Sequence, residues 1–221
     1  MPATAAGHPS PMTAASSPGH LKPQQDIAMP RKIVATDYIS LDGVVQDPVG
    51  MENSGLGDWT GPFRRGPEGD RLKHEELMAA SALLLGRITY DGFAAVWPHV
   101  DDPEGFAERI NSLPKHVASH TLETAGWRNS RIIDGDLVEA VRALRQEDGD
   151  GDILIYGSAS IVHQLLPHGL IDEFRLMVYP VLLGRGVRLF PEGRAARLTL
   201  TDHVRLGDGI MLLTYQPAPT E

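Results

Sequence analysis

Ile153-Leu154-Ile155-Tyr156-Gly157-Ser158-Ala159-Ser160-Ile161-Val162-His163-Gln164-Leu165-Leu166 is the stretch that decides the fold class. Its first four residues are large and mostly apolar without alternation, which suits a strand covered on both faces. Gly157 to Ser160 then supply a turn of small residues, and Ile161 to Leu166 reads as a helix that ends near Pro167 to Gly169. A doubly covered strand that passes directly into a helix is the repeating unit of a parallel sheet.

Working outward, a second junction of this kind lies upstream, where Leu83-Leu84-Leu85 stops at Gly86. Asp70 to Ala82 precedes it as a helix, and another helix follows through Trp97 to a break at Pro98. Lys32 to Ser40 is rich in β-branched and aromatic residues and closes on Asp42-Gly43, a strand and a turn. Residues 46–69 form a long loop rich in Gly and Pro, a length that in compact domains is usually functional or mobile. Lys115 to Ser119 and Arg131 to Ile133 are short strands, and Asp136 to Gln146 is a capped helix with Leu137, Val138, Val141 and Leu144 on one face. Glu173 to Val178 is a further strand. Leu198 to Leu206 alternates, turns at Gly207-Asp208-Gly209 and returns through Ile210 to Tyr215 as a hairpin. The order predicts an α/β fold: a mainly parallel central sheet, helices on both faces, and an antiparallel C-terminal hairpin.

The folded domain is expected over residues 31–216, with a short tail at 217–221. Met1 to Pro30 is dominated by Ala, Ser, Pro and Gly, too poor in large apolar groups to offset the entropy of ordering, and is expected to be a disordered tail. Met29-Pro30-Arg31-Lys32-Ile33 is an equally good place for the domain to begin. The 221 residues contain no Cys, which excludes disulfides, zinc-thiolate sites and a cysteine nucleophile. A formal charge of -9 argues against a nucleic-acid partner, because polyanion binding needs a basic footprint. The chain has neither a long apolar run that would span a bilayer nor an apolar signal-peptide core at its start, so a cytoplasmic protein with no membrane partner is expected.

Both strand-to-helix junctions place small residues and free backbone N–H groups at a helix start, which favours phosphate. In a parallel sheet both would lie on the carboxyl edge, where ligands of open α/β sheets bind, and two phosphate cradles on one edge suit a dinucleotide. Arg87 adds a forked cation for a terminal phosphate such as the ribose 2′-phosphate of NADPH, and Ser119, ending another strand, can assist. Taken singly, Gly86 and Gly157 fit helix packing and Arg87 a surface ion pair; the ordered combination favours a ligand. Asp148 to Asp152 suggests a calcium loop, but Ile153 and Ala159 stand where Gly and Glu are required. Ser158 lacks the flanking glycines of a nucleophile elbow, and the histidines lack ligand spacing, so no metal site is expected.

Gly86-Arg87-Ile88-Thr89-Tyr90 after Leu83-Leu84-Leu85 resembles the cofactor-binding turn of dihydrofolate reductases, and Ile155 to Ser160 stands in the place of their glycine-rich turn. The closer resemblance is to the RibD C-terminal family, through Ile39-Ser40-Leu41-Asp42-Gly43, Leu85 to Phe93, Gly169 to Leu176 and Pro180 to Gly186. These segments occur in order across about the whole of residues 31–216. The resemblance implies NADPH along the sheet edge, with Arg87, Thr89 and Ser119 near the 2′-phosphate and pyrophosphate. Gly86, Tyr156, Gly157, Ser158, Ala159, Ser160 and Ile161 would follow pyrophosphate and ribose, Gln164 the adenine, and Ala35, Thr36 and Gly43 the nicotinamide. Asp42, Trp59 and Tyr90 would meet a small-molecule substrate, and a homodimer would form through residues 197–215 and Val181 to Phe190.

The chain departs from dihydrofolate reductases in lacking an acid placed by motif after the tryptophan loop. Asp70, Glu75 and Glu76 are near, yet read as a solvated helix face, which leaves the proton donor unassigned. The expected activity is therefore NADPH-dependent hydride transfer to a pterin-like, pyrimidinone-like or other carbonyl or imine heterocycle. Two alternatives remain. One is the riboflavin-pathway reductase of a phosphoribosylamino-pyrimidinedione, for which Arg64, Arg65 and Arg185 would have to bind the substrate phosphate; the other is a non-catalytic dinucleotide-binding module.

Overall fold

The computed structural model describes residues 30–219, so the expectations for the N-terminal tail up to Met29 and for the last two residues lie outside the described residues. Among the described residues, eight strands form one sheet: β1 (Ile33–Ser40), β2 (Ala80–Gly86), β3 (Lys115–Ala118), β4 (Ser130–Ile132), β5 (Asp152–Tyr156), β6 (Glu173–Tyr179), β7 (Leu198–Leu206) and β8 (Ile210–Pro217). Their spatial order is β4-β3-β2-β5-β1-β6-β8-β7. The six strands from β4 to β6 are mutually parallel, and β8 pairs antiparallel with both β6 and β7.

Strand alternation distributes the apolar residues between two cores. Ile33, Ala35, Ile153 and Ile155 point to the face covered by α4 (Leu137–Gln146) and α5 (Ala159–Leu165). Val34, Leu83, Leu85 and Leu154 point to the other, under α1 (Gly66–Ala79), α2 (Arg87–Val96) and α3 (Phe106–Ser112). Leu154 lies in register between Val34 and Leu83, at the centre of the sheet. The predicted cap of α4 is present: the Asp136 carboxylate accepts the Glu139 N–H at 3.0 Å, satisfying a donor that the first helical turn leaves unpaired.

Several boundaries differ from the sequence expectation. The first helix begins at Gly66 rather than Asp70, because Pro67 occupies a first-turn position where its missing N–H costs nothing. It ends at Ala79, and Ala80 is already extended; the strand carries seven residues because it pairs on both sides. Helix α3 was not anticipated. It has only seven residues, too few for a clear period, and is started by Asp102, whose carboxylate accepts the N–H groups of Glu104 and Ala107. The hairpin alternation breaks at a register shift between Leu200 and Asp202, and β8 reaches Pro217, one residue past the expected domain end.

Leu154→Ala would remove a buried side chain shared by three strands and is expected to cost about 2–5 kcal/mol of unfolding free energy, to be read from urea denaturation.

Candidate active site

β1 and β5 pair only as far as Thr36 and Tyr156. Beyond that point β1 stays with β6 through Ser40, while β5 turns away at Gly157, whose N–H still reaches the Thr36 carbonyl at 3.4 Å. The strands part there, and parted neighbours at the carboxyl edge of a parallel sheet leave a crevice. A cavity of about 610 Å³ opens at this place, with Thr36, Asp37, Thr89, Tyr156, Gly157 and Ser158 in its wall.

The two small-residue turns meet here. Gly86 ends β2, the neighbour of β5, and a Cβ added to it would lie 1.8 Å from the Ser158 hydroxyl oxygen. Gly157 has φ +61° and faces the Thr89 hydroxyl, which an added Cβ would approach to 3.3 Å. Ser158 also has positive φ, at +72°, an arrangement disfavoured by roughly 1–3 kcal/mol for a residue with a side chain. The turn is thus held in place by its surroundings rather than by its own preference.

The expected cofactor residues divide into two groups. Thr36, Thr89, Tyr156, Gly157 and Ser158 line the cavity. Arg87 opens α2, half exposed, its guanidinium 3.0 Å from Asp91. The Ser119 hydroxyl accepts the N–H groups of Thr121 and Leu122 just beyond β3, so it shares the edge but already holds its own loop. Gln164 donates to the Ser160 carbonyl at 3.1 Å. Ala35, Ala159 and Ile161 are buried in the core beneath the turn, and Gly43 (φ +86°) makes the bend after β1.

None of the three expected substrate residues lines the cavity. The Asp42 carboxylate accepts the Ser40 hydroxyl at 2.6 Å and the N–H groups of Leu183 and Gly184 at 3.1 and 2.8 Å. These hydrogen bonds lower its pKa to about 2 and make Asp42 the tether of the loop after β6. Trp59 is buried, donates its indole N–H to the Gln46 carbonyl and packs edge-on against Tyr179. Tyr90 is buried on the α1–α3 face, with its hydroxyl accepting the Trp127 N–H at 2.9 Å. Both aromatics are packed into buried hydrophobic clusters.

In their place stands a polar group that sequence reasoning missed. Asp70 and Glu75 are exposed and paired with Arg65 and Arg71, as a solvated face requires. Glu76, the third acid weighed with them, is instead buried: it receives the hydroxyls of Thr36 and Tyr156 at 3.2 and 3.3 Å, contacts the Lys73 ammonium, and lies 3.7 Å from the Arg175 guanidinium. Burial, then the Glu76 charge, raises the Tyr156 pKa well above its ordinary value. Asp37, the next residue along β1 from Thr36, is 6% exposed. One of its carboxyl oxygens, Oδ2, has no hydrogen-bond partner. Burial pushes its pKa up to about 8, with Lys73 opposing and Glu76 reinforcing the rise. The signal was available: a lone carboxylate within the predicted strand Lys32 to Ser40.

The strand order and the hairpin define a dihydrofolate reductase-like fold. The RibD C-terminal domain family matches residues 31–212, and the chain belongs to that family. The uncharacterized Bacillus subtilis protein YyaP is 27% identical over 189 residues, covering 84% of this chain and 94% of its own length. A crystal structure of a Shewanella sp. PV-4 protein assigned to riboflavin biosynthesis matches with a TM-score of 0.66 at 22% identity, covering 85% of this chain and 99% of that one. Enterococcus faecalis dihydrofolate reductase, complexed with NADP(H), matches with a TM-score of 0.50 at 17% identity over 85% of this chain and 97% of its own.

Gly86→Ala is expected to displace the Ser158 turn and destabilise the protein by about 1–3 kcal/mol, measurable as a shift in the urea midpoint. Because the folded pKa of Asp37 is raised, its contribution to stability is fully present below pH 4 and is lost as pH rises through 8. Asp37→Asn should therefore melt several degrees above the unsubstituted protein at pH 9 and together with it at pH 4, which differential scanning calorimetry would read.

Proposed function

We propose that this protein is an NADPH-dependent reductase that delivers hydride to a small carbonyl or imine heterocycle without a phosphate group. The observation that carries the proposal is the contact of the two turns at Gly86 and Gly157, beside the crevice where β1 and β5 part.

The residues present fit a dinucleotide. Side chains larger than hydrogen at positions 86 and 157 would crowd this cradle, and helix α2 directs its free N–H groups toward the same rim. Arg87, Thr89 and Ser119 would hold the 2′-phosphate end, Gly157, Ser158 and Ser160 the pyrophosphate, and Thr36 with its neighbours the nicotinamide. When bound, the dinucleotide supplies the hydride; the protein's part is to align two rings and exclude water. Thr36 is well suited to a fixed role, since its hydroxyl is held between the Lys73 ammonium at 2.9 Å and the Glu76 carboxylate.

The cavity lining bears on the substrate. Six carboxyl side chains (Asp37, Asp47, Glu52, Asp70, Asp102 and Glu104) face Arg65, Lys73 and His74. Arg65 is already paired with Asp70 and Tyr38, and Lys73 with Glu76. Arg64 pairs with Asp208 and Arg185 with the Gly55 carbonyl. Because these cations are already paired, a substrate phosphate would have to displace their present partners, which disfavours a phosphorylated substrate. The riboflavin-pathway pyrimidinedione reading, which family membership favours, is for that reason placed second. The non-catalytic reading rested on a missing acid, and the buried Asp37 and Glu76 remove that support.

Residues Leu182, Val187 and Phe190 expose apolar surface in one segment, which supports pairing of two copies there. Among the described residues no helix is long and apolar enough to cross a membrane.

Arg87→Ala is expected to weaken NADPH about 10- to 100-fold, the usual worth of a charge-assisted phosphate contact, and to change NADH affinity less than about 2-fold. Titration of nicotinamide fluorescence would check it, and equal loss for both dinucleotides would refute the assigned role.

A further inference from the structure

We propose that Asp37 is the proton donor of this site, held as a neutral carboxylic acid whose free oxygen is aimed at the substrate. The inference rests on the reductase reading above and adds the acid that the sequence left unassigned.

Three observations on geometry converge. Asp37 is the first residue of β1 beyond the last β1–β5 pair, so its side chain emerges where the strands part. It lies in the wall of the cavity while being almost wholly removed from solvent. Its Oδ2 atom has no partner in the protein, and a buried oxygen left so is costly unless something else supplies the missing hydrogen bond. A bound ligand with an acceptor atom would do so.

The surroundings explain why the acid keeps its proton and how it can release it. Lys73 and Glu76 of α1 act on it with opposite signs. Tyr38 on its own strand, Tyr156 at the end of β5, and Asp47 and Glu52 from the long loop share the cavity. Glu76, which receives the Thr36 and Tyr156 hydroxyls and lies near Arg175, disfavours a second negative charge nearby. Burial acts in the same direction, and together they outweigh Lys73. A carboxyl that titrates near pH 8 is protonated at neutral pH yet acidic enough to give the proton up.

With a reduced dinucleotide bound to supply the hydride, a C–H bond would form at the carbonyl or imine carbon and the π electrons would move to the heteroatom. That heteroatom takes the proton from Asp37, forming O–H or N–H as the Asp37 O–H bond breaks. The substrate gains two electrons and two hydrogens, the dinucleotide is oxidised, and the Asp37 carboxylate is reprotonated from water.

The test begins without substrate. Carbon-13 NMR of protein labelled at the aspartate carboxyl carbon should show one resonance titrating near pH 8 that is lost in Asp37→Asn; a spectrum in which every aspartate has ionised below pH 6 overturns the proposal. A panel of dihydropterins, pyrimidinones and cyclic imines is then assayed with NADPH. For any compound reduced, Asp37→Asn should lower kcat at least about 100-fold and leave NADPH affinity within about 3-fold, while kcat of the unsubstituted protein falls above pH 8. Unchanged turnover by the variant overturns the proposal, and so does an Asp37 carboxyl that has ionised below pH 6, whether or not a panel compound reacts. Failure of NADPH to raise the melting temperature would count against the cofactor reading alone, because the titration is measured on ligand-free protein.

Discussion

A parallel sheet keeps its strands hydrogen-bonded only while their directions agree, and the separation of β1 from β5 after Thr36 and Tyr156 is the constraint on which the site depends. Upstream of it the strands are locked by Leu154, Ile155 and their neighbours in two cores. Downstream, β1 follows β6 and β5 enters its helix. The cavity, the two turns and the buried acids are all placed by that divergence. Asp42 completes the frame from the other side by tying the end of β1 to the loop after β6.

Within the crevice, charge burial replaces apolar packing. Glu76 is surrounded by two hydroxyls, an ammonium and a guanidinium, and this hydrogen bonding offsets the desolvation of a carboxylate. Arg175 carries the network outward to Glu173 and Asp152 at the opposite end of the strands. Asp37 is the member with a carboxyl oxygen, Oδ2, left without a hydrogen-bond partner.

The backbone of this fold was readable because its signals are local. Unalternating runs at Leu83 to Leu85 and Ile153 to Tyr156, small residues at each strand end, and the Asp136 cap each carry their own physical reason. The sheet edge shared by Gly86 and Gly157 followed from those elements. The short helix α3 was not readable, since seven residues hardly establish a period. Trp59 and Tyr90, expected beside a substrate, lie buried outside the cavity lining, and composition does not tell a cavity wall from a core. Glu76 escaped notice because an acid on a polar helix looks solvated until the tertiary contacts of Thr36 and Tyr156 are known.

The close approach of Gly86 to Ser158 has an evolutionary corollary. The space for one β-carbon at the first position is taken by the hydroxyl at the second, so the cost of enlarging residue 86 depends on which residue stands at 158, and a smaller residue 158 would make room for it.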